Sequence, residues 1–301
     1  ANAGYRRLFE SDGLSFGIGF PLTGVRESTP DPIDESRLAG HAESVGFDAL
    51  WARDVPTYWP KFGDAGGAFD PWTLLSHAAA TTEEIALGTS SVVLPLRHPI
   101  HVATAAASVD RLSGGRLVLG VASGDRDPEY PAFGVAPDDR GQLVREGVDA
   151  LRTLWRERYP TLDGSWGRLD GEVDVLPKPT TETLPLLPTG YARQSMEWLA
   201  DHGDGWLFYH LPDGTLRSYV AEWRDHAGDK PFVIAVRVAL ADDPTADPEQ
   251  LHLGYRAGVE WFRDYFRRVE DYGLDHVVVS LQAEDPERAM TTFATEVIDA
   301  L

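Results

Sequence analysis

In PIHVATAAASVDRLSGGRLVLGVA, residues 99–122, a helical pattern is followed at once by a strand pattern. The helix is indicated by apolar residues that recur at spacings of three and four: Val102, Ala105, Val109 and Leu112. Ser113-Gly114-Gly115 ends the helix, because glycine accepts the left-handed conformation common at helix termini. The run at 116–122 is apolar without alternation, which is typical of a strand buried on both faces.

The same pairing of an apolar run with an amphipathic helix recurs along all 301 residues. The pattern predicts eight strands, at 14–20, 48–51, 85–94, 116–122, 185–189, 205–209, 232–240 and 276–281. It predicts eight helices, near 34–46, from 70 onward, and near 99–112, 138–156, 194–202, 214–227, 255–269 and 290–301.

Strict alternation of strands and helices predicts an α/β fold, specifically a (β/α)8 TIM barrel in which the helix connections are right-handed. We expect a single domain over 1–301, with an insertion at 157–184 after the fourth helix. An open doubly wound sheet is the alternative, but the first strand-to-helix turn lacks its Gly-x-Gly-x-x-Gly fingerprint. We interpret Gly17 and Gly19, inside the first strand, as packing positions.

Composition excludes several classes of partner and chemistry. With 48 acidic and 27 basic residues the formal net charge is −21, which repels nucleic acid and anionic membranes. The absence of cysteine excludes disulfides, thiolate catalysis and cysteine-ligated metals. No apolar run has the length of a signal peptide or a transmembrane helix, so we expect a cytoplasmic protein. Many acids with only three lysines predict a halophilic protein, although arginine-favouring codon usage is an alternative.

The turn after the fifth strand is a predicted phosphate site, since functional groups of a barrel collect at the C-terminal ends of its strands. Gly190 allows close approach of the backbone. Gln194 and Ser195 stand where a helix begins, so backbone amides and a hydroxyl can converge on an anion. An ordinary helix N-cap is the alternative.

The third strand is polar where a buried strand should be apolar, at Thr89, Ser90 and Ser91. This indicates either a bulge whose backbone faces a ligand or hydroxyls bonded to neighbouring carbonyls. Asp54 and Arg126 are the candidate catalytic residues. Asp54 follows the second strand and could face a ligand or pair with an arginine, while Arg126 could meet a phosphate or neutralise the adjacent acids.

No metal site is predicted. His98 and His101 lie three residues apart, but no HExxH pattern or third ligand accompanies them.

Four segments together resemble the bacterial luciferase-like flavin monooxygenases, and in particular the luciferase-type oxidoreductase subfamily. They are ESVGFDALW (43–51), LGTSSVVLPLRHP (87–99), DRLSGGRLVLGVASG (110–124) and GYARQSMEW (190–198). The resemblance implies an enzyme that uses reduced FMN and dioxygen to oxygenate a small organic substrate. No nicotinamide fingerprint is visible, so we expect a separate flavin reductase to supply the reduced flavin.

The resemblance also implies where the cofactor binds. It puts a non-proline cis peptide beside the flavin ring at Ser90–Ser91, and the phosphate on Tyr191, Ala192 and Ser195. Two further positions match residues near the flavin and its phosphate, Ser123 and Gly124. Asp54 matches an acidic residue beside the pocket.

Two departures and two alternatives accompany this prediction. Val55 stands where luciferase has a catalytic histidine, so we do not expect aldehyde oxidation with light emission; Ala122 replaces a reactive but dispensable cysteine. The alternatives are a deazaflavin-dependent hydride-transfer oxidoreductase and a flavin-binding protein without turnover. Substrate specificity is expected in 55–69 and in the insertion. Family members commonly form homodimers, and Trp72, Leu75 and Ala79 would suit such a face.

Overall fold

The computed structural model describes residues 1–20, 32–62 and 68–301. The strands of this part of the chain are β1 (Ser15–Phe20), β2 (Ala49–Ala52), β3 (Ala86–Val93), β4 (Leu117–Ala122), β5 (Thr161–Gly164), β6 (Gly167–Asp170), β7 (Leu186–Pro188), β8 (Trp206–Tyr209), β9 (Phe232–Leu240), β10 (Glu249–Leu251), β11 (Gly254–Ala257) and β12 (His276–Leu281). Its α-helices are α1 (Ala3–Phe9), α2 (Pro32–Ser44), α3 (Pro71–Thr81), α4 (Pro99–Leu112), α5 (Glu129–Ala132), α6 (Arg140–Arg156), α7 (Met196–His202), α8 (Asp213–Ala227), α9 (Val259–Asp271) and α10 (Pro286–Glu296).

Eight parallel strands close into a barrel, which confirms the predicted fold. The ladders run from β8 through β9, β12, β1, β2, β3 and β4 to β7. The seam between β7 and β8 is closed by a parallel bridge from Thr189 to Leu207, and the amide of Gly190 donates to the Leu207 carbonyl at 2.8 Å. Helices α2, α3, α4, α6, α7, α8, α9 and α10 each follow one barrel strand.

Two hairpins decorate the barrel. Strands β5 and β6 form an antiparallel pair within the predicted insertion. Strands β10 and β11 form a second pair, and β11 runs parallel to the end of β9, beyond the point where β8 stops. The predicted helix at 255–269 was therefore wrong at its start: Tyr255 lies in β11 opposite Val238, and the helix begins at Val259.

A buried aromatic group fills the barrel axis. The indole of Trp51 donates to Nε2 of His276 at 2.9 Å, and Nδ1 of His276 meets the Ser15 hydroxyl at 2.6 Å. A Cβ at Gly17 or Gly88 would approach the Trp51 ring to 2.5 or 2.3 Å, so both positions require glycine. The interpretation of Gly17 as a packing residue is thus confirmed.

Two further features bear on expectations from the sequence. Within the described residues, no helix is long and apolar enough to cross a membrane, and no cluster of histidine and carboxylate groups could hold a metal ion. Leu75 and Ala79 are buried inside the protomer and Trp72 is half-buried, so the first two have little surface to offer a partner. The homodimer stays a prediction.

Candidate active site

The turn after β7 has an unusual backbone. Gly190, Ala192 and Arg193 all have positive φ, at 56°, 47° and 62°. Within the described part of the chain, the amides of Tyr191, Ser195 and Met196 have no hydrogen-bond partner. Orphan amides at the start of a helix are suited to an anion. The turn that the sequence indicated as a phosphate site therefore offers free donors, and the exposed Arg193 adds a cation that sequence reasoning missed.

Two side chains of this turn form hydrogen bonds within the protein. Gln194 donates to the Gly141 carbonyl at 2.8 Å and accepts from Arg145 at 2.8 Å, so it fixes the turn against α6. Ser195 caps α7 by accepting from the Trp198 amide at 3.3 Å. The backbone amide of Glu197 and then the Ser195 hydroxyl hold the pKa of the exposed Glu197 carboxyl below its usual range. Ser195 can act as an N-cap in a turn that also binds phosphate, because the free amides lie beside the cap.

The polar segment of β3 forms the predicted bulge. The β3–β4 register shifts between Thr89 and Val92, and the Ser90–Ser91 peptide is cis, as the resemblance implied. The Thr89 hydroxyl donates to the Gly120 carbonyl at 2.8 Å, and the Ser91 hydroxyl hydrogen-bonds that of Thr189 beside the phosphate turn. The bulge is present and the hydroxyls satisfy neighbouring groups, while a ligand that faces the bulge stays a prediction.

Gly124 forms a tight cradle next to this bulge. Its φ is 85°, and a Cβ there would lie 2.5 Å from the hydroxyl of Tyr130 and 2.8 Å from a methyl of Val93. Tyr130 in turn donates to the Ser123 carbonyl at 2.9 Å. Ser123 is itself buried, and its hydroxyl donates a long hydrogen bond of 3.5 Å to the Gly124 carbonyl.

Asp54 and Arg126 occupy different environments at the mouth. Asp54 accepts from both nitrogens of a bidentate Arg97 guanidinium and from the Val93 amide, so its oxygens are committed to the protein. Arg126 is buried with its guanidinium 4.4 Å above the ring of Phe62. Burial and the charge of Arg53 lower the pKa of Arg126.

A second charged group lies at the mouth that motif reasoning did not find. Side chains alternate along a strand, and Trp51, Leu207 and Val233 pack in the inner barrel cluster. Tyr209, two positions after Leu207, and Arg237, four positions after Val233, therefore also face the barrel axis, at its C-terminal rim. Arg53 directly follows β2, and its charge acts on Arg237 and Arg126. Strand alternation would have found Tyr209 and Arg237 from the sequence once the strand phases were known.

These side chains influence one another and Asp125, which follows β4. Burial raises the pKa of Asp125, and the nearby Arg53 opposes that shift. Burial and the Asp125 charge raise the pKa of Tyr209. Burial lowers the pKa of Arg53, which Asp125 partly offsets. The rim thus combines an acid and a phenol with raised pKa values among arginines.

A parallel barrel with a cis bulge, a glycine cradle and a turn rich in free amides at its C-terminal mouth defines an α/β-barrel of the luciferase type. The chain belongs to the luciferase-like monooxygenase family, whose model matches residues 18–288. The family contains monooxygenases and F420-dependent oxidoreductases, so the chain is a member of an oxidoreductase family.

Three relatives illustrate this range. An uncharacterized protein of Mycobacterium tuberculosis, Rv0953c, is 37% identical over 192 residues, which cover 58% of this chain and 67% of that protein. The F420-dependent hydroxymycolic acid dehydrogenase of the same organism is 30% identical over 236 residues, covering 75% of this chain and 62% of the dehydrogenase. The solved structure of monooxygenase RslO1 from Streptomyces bottropensis shares the fold, with a TM-score of 0.79 at 23% identity, covering 95% of this chain and 99% of that one.

Proposed function

We propose that this protein is an FMN-dependent monooxygenase that uses reduced FMN and dioxygen to oxygenate a small organic substrate. The observation that carries the proposal is the proximity of the phosphate-type turn to the bulge of β3, which are joined by the hydrogen bond between Ser91 and Thr189. A flavin has its phosphate and its ring at opposite ends, and these two features would receive one end each.

The residues fit the cofactor. The free amides of Tyr191, Ser195 and Met196 would hold the phosphate, with Arg193 beside them. The bulge at Thr89, Ser90 and Ser91 would lie against the ring, and the cradle of Ser123 and Gly124 would lie near both. Reduced flavin, when bound, supplies the electrons that activate dioxygen.

The chain's own residues would position groups and hold protons. Asp54 fixes Arg97 and the exit of β3 by three hydrogen bonds. Asp125 follows β4 at the rim, and burial raises the pKa of its carboxyl group. The phenol of Tyr209, whose pKa burial and the charge of Asp125 raise, can donate a hydrogen bond into the mouth.

A second candidate is a deazaflavin-dependent oxidoreductase that transfers hydride without oxygen. It is favoured by the F420-dependent hydroxymycolic acid dehydrogenase, which is 30% identical over 75% of this chain. FMN and deazaflavins share a phosphate on the side chain, so the turn after β7 suits either. A flavin-binding protein without turnover is a third candidate. A separate flavin reductase, a homodimer, a cytoplasmic location and halophilic behaviour remain predictions.

The decisive experiment titrates the purified protein with FMN and with coenzyme F420, following fluorescence at fixed KCl. Selective FMN binding, followed by substrate-dependent oxygen consumption after anaerobic reduction, would support the monooxygenase. Binding of F420 alone would replace it with hydride transfer. Reoxidation of bound reduced FMN at the rate of free reduced FMN, with every substrate tried, would favour the protein without turnover.

A further inference from the structure

Arg237 is held rigidly at its backbone by the second hairpin. Its amide donates to the Leu253 carbonyl at 2.8 Å, and β11 passes so close that a Cβ on Gly254 would lie 1.9 Å from the Arg237 carbonyl oxygen. Val233 and Ala235 pack on the inner barrel cluster, so strand alternation aims the Arg237 side chain into the mouth. The hairpin therefore fixes the strand from which this guanidinium projects.

The guanidinium itself lacks a partner. The side chain of Arg237 is half-buried, yet its guanidinium makes no hydrogen bond or ion pair with any residue in 1–20, 32–62 or 68–301. Burial and the charge of Arg53 both lower its pKa, so the charged neighbour that acts on it is a second cation. Placing a cation here is unfavourable for the free protein. In a chain with 48 acidic residues, a carboxylate partner would be easy to supply, and none is present among the described residues.

The phosphate turn lies elsewhere on the rim. It follows β7, whereas Arg237 projects from β9, and β8 stands between them. Neighbouring strands are about 4.8 Å apart, so the two features are separated by roughly 10 Å across the rim. The phosphate turn and Arg237 thus belong to different strands of the rim.

We propose that Arg237 is a specificity-determining residue that binds a carboxylate group of the substrate. This inference rests on the proposed function, because it assumes that a substrate enters the mouth beside the cofactor. A guanidinium pairs with a carboxylate through two parallel hydrogen bonds, and the match is strongest where water is partly excluded. The other anion that could reach this position is the ring of reduced flavin, and the test separates the two.

The test measures binding of pentanoate and of its neutral analogue pentanamide by calorimetry at fixed KCl. Wild type, Arg237→Gln, Arg237→Lys and a control, Arg217→Gln, are compared with and without FMN. Arg217 is an exposed residue of α8, so the control removes the same charge away from the mouth. We expect pentanoate to bind wild type and the control equally and Arg237→Gln about tenfold more weakly or worse, with Arg237→Lys between them. Pentanamide should bind all four proteins equally weakly.

Three results would overturn the inference. The first is equal binding of pentanoate by wild type and Arg237→Gln, or none by wild type. The second is that pentanoate and anaerobically reduced FMN compete for wild type and that Arg237→Gln loses affinity for both to the same extent. That result would show that Arg237 binds the anionic ring of the cofactor. The third is a lower melting temperature for Arg237→Met, since an unpartnered cation should be replaceable without loss of stability. If wild type binds pentanoate through Arg237 but binds no flavin, the result supports a carboxylate site at Arg237 and contradicts the proposed FMN-dependent function.

Discussion

The carboxylate of Asp54 accepts two hydrogen bonds from the guanidinium of Arg97, at 2.8 Å to Oδ2 and 2.7 Å to Oδ1. The side chain of Asp54 is only 2% exposed, and the Val93 amide adds a third bond at 3.0 Å. An acid held in this way serves to position β3, because both of its oxygens are already bonded within the protein. Of the two catalytic candidates suggested by the sequence, Asp54 is therefore better understood as a positioning residue.

Replacing Asp54 by Asn should lower the free energy of unfolding by about 3 kcal/mol, because the Arg97 charge loses its buried partner. Denaturant titration measures this change. Asp70→Asn is the control, since Asp70 contacts the same guanidinium at 3.0 Å from an exposed position and should matter by less than about 1 kcal/mol. Unchanged stability in Asp54→Asn, combined with a large fall in kcat, would instead return Asp54 to a catalytic role.

Removing the charge of Glu197 should tighten FMN binding about two- to fivefold, because that carboxylate lies in the first turn of α7 beside the free amides. Fluorescence titration of Glu197→Gln with FMN, and with riboflavin, which lacks the phosphate, measures the effect. Glu260→Gln makes the same change in the first turn of α9 and should have no influence. An equal gain for riboflavin would contradict a phosphate site at this turn.

Gly124→Ala should destabilise the protein by about 2 kcal/mol more than Gly134→Ala and should weaken FMN binding. Both glycines have positive φ, so each substitution introduces similar backbone strain of about 1 kcal/mol. Only Gly124 has Tyr130 and Val93 within contact, whereas a Cβ at Gly134 meets nothing within 4 Å. Similar unfolding free energies for the two variants would show that Tyr130 and Val93 can move away from an added methyl group without a loss of stability.

His276 should make stability depend on pH. Complete burial lowers its pKa to about 3 in the folded state, against an ordinary value of about 6.5 when unfolded. The unfolded chain therefore binds the proton first as pH falls. The contribution of neutral His276 is fully present above about pH 6.5 and declines towards about pH 3, by on the order of 5 kcal/mol at most.

The hydrogen bonds of the His276 ring act in the same direction as its burial. Nε2 of His276 accepts from Trp51, so a proton there would face another N–H group. Unfolding free energies of wild type and His276→Gln between about pH 4 and 7 measure the effect, and the variant should lose much of the slope. His226→Gln, at an exposed position on α8, should retain the wild-type slope. Identical slopes in all three proteins would assign the acid sensitivity to carboxylates alone.

Sequence patterns located the barrel because its strands are continuous apolar runs and its helices carry regular stripes. The helix Pro99–Leu112 was predicted with its observed bounds, since a proline begins it and two glycines follow it. Tyr255 was misassigned because its spacing of four from Val259 continues the helical period across Gly258. The hairpin turn before it places Leu253 at a φ of 62°, and leucine gives no turn signal. The short α1 escaped notice because only Gly4 and Leu8 face the core.

The site was predictable where local sequence carries the geometry. Gly190 predicts a turn, and the polar residues of β3 predict a bulge, because of their residue types. Arg237 lies in an apolar strand without any motif, and its lack of a partner emerges only when the rim is assembled. The pairing of Asp54 with Arg97 joins positions 43 residues apart and likewise depends on the fold.

Trp51 gives the mouth of the barrel a fixed depth. Its indole lies between Gly17 and Gly88 and closes the barrel axis at that level. Any molecule that binds at the C-terminal mouth must therefore enter and leave on the same side of the barrel.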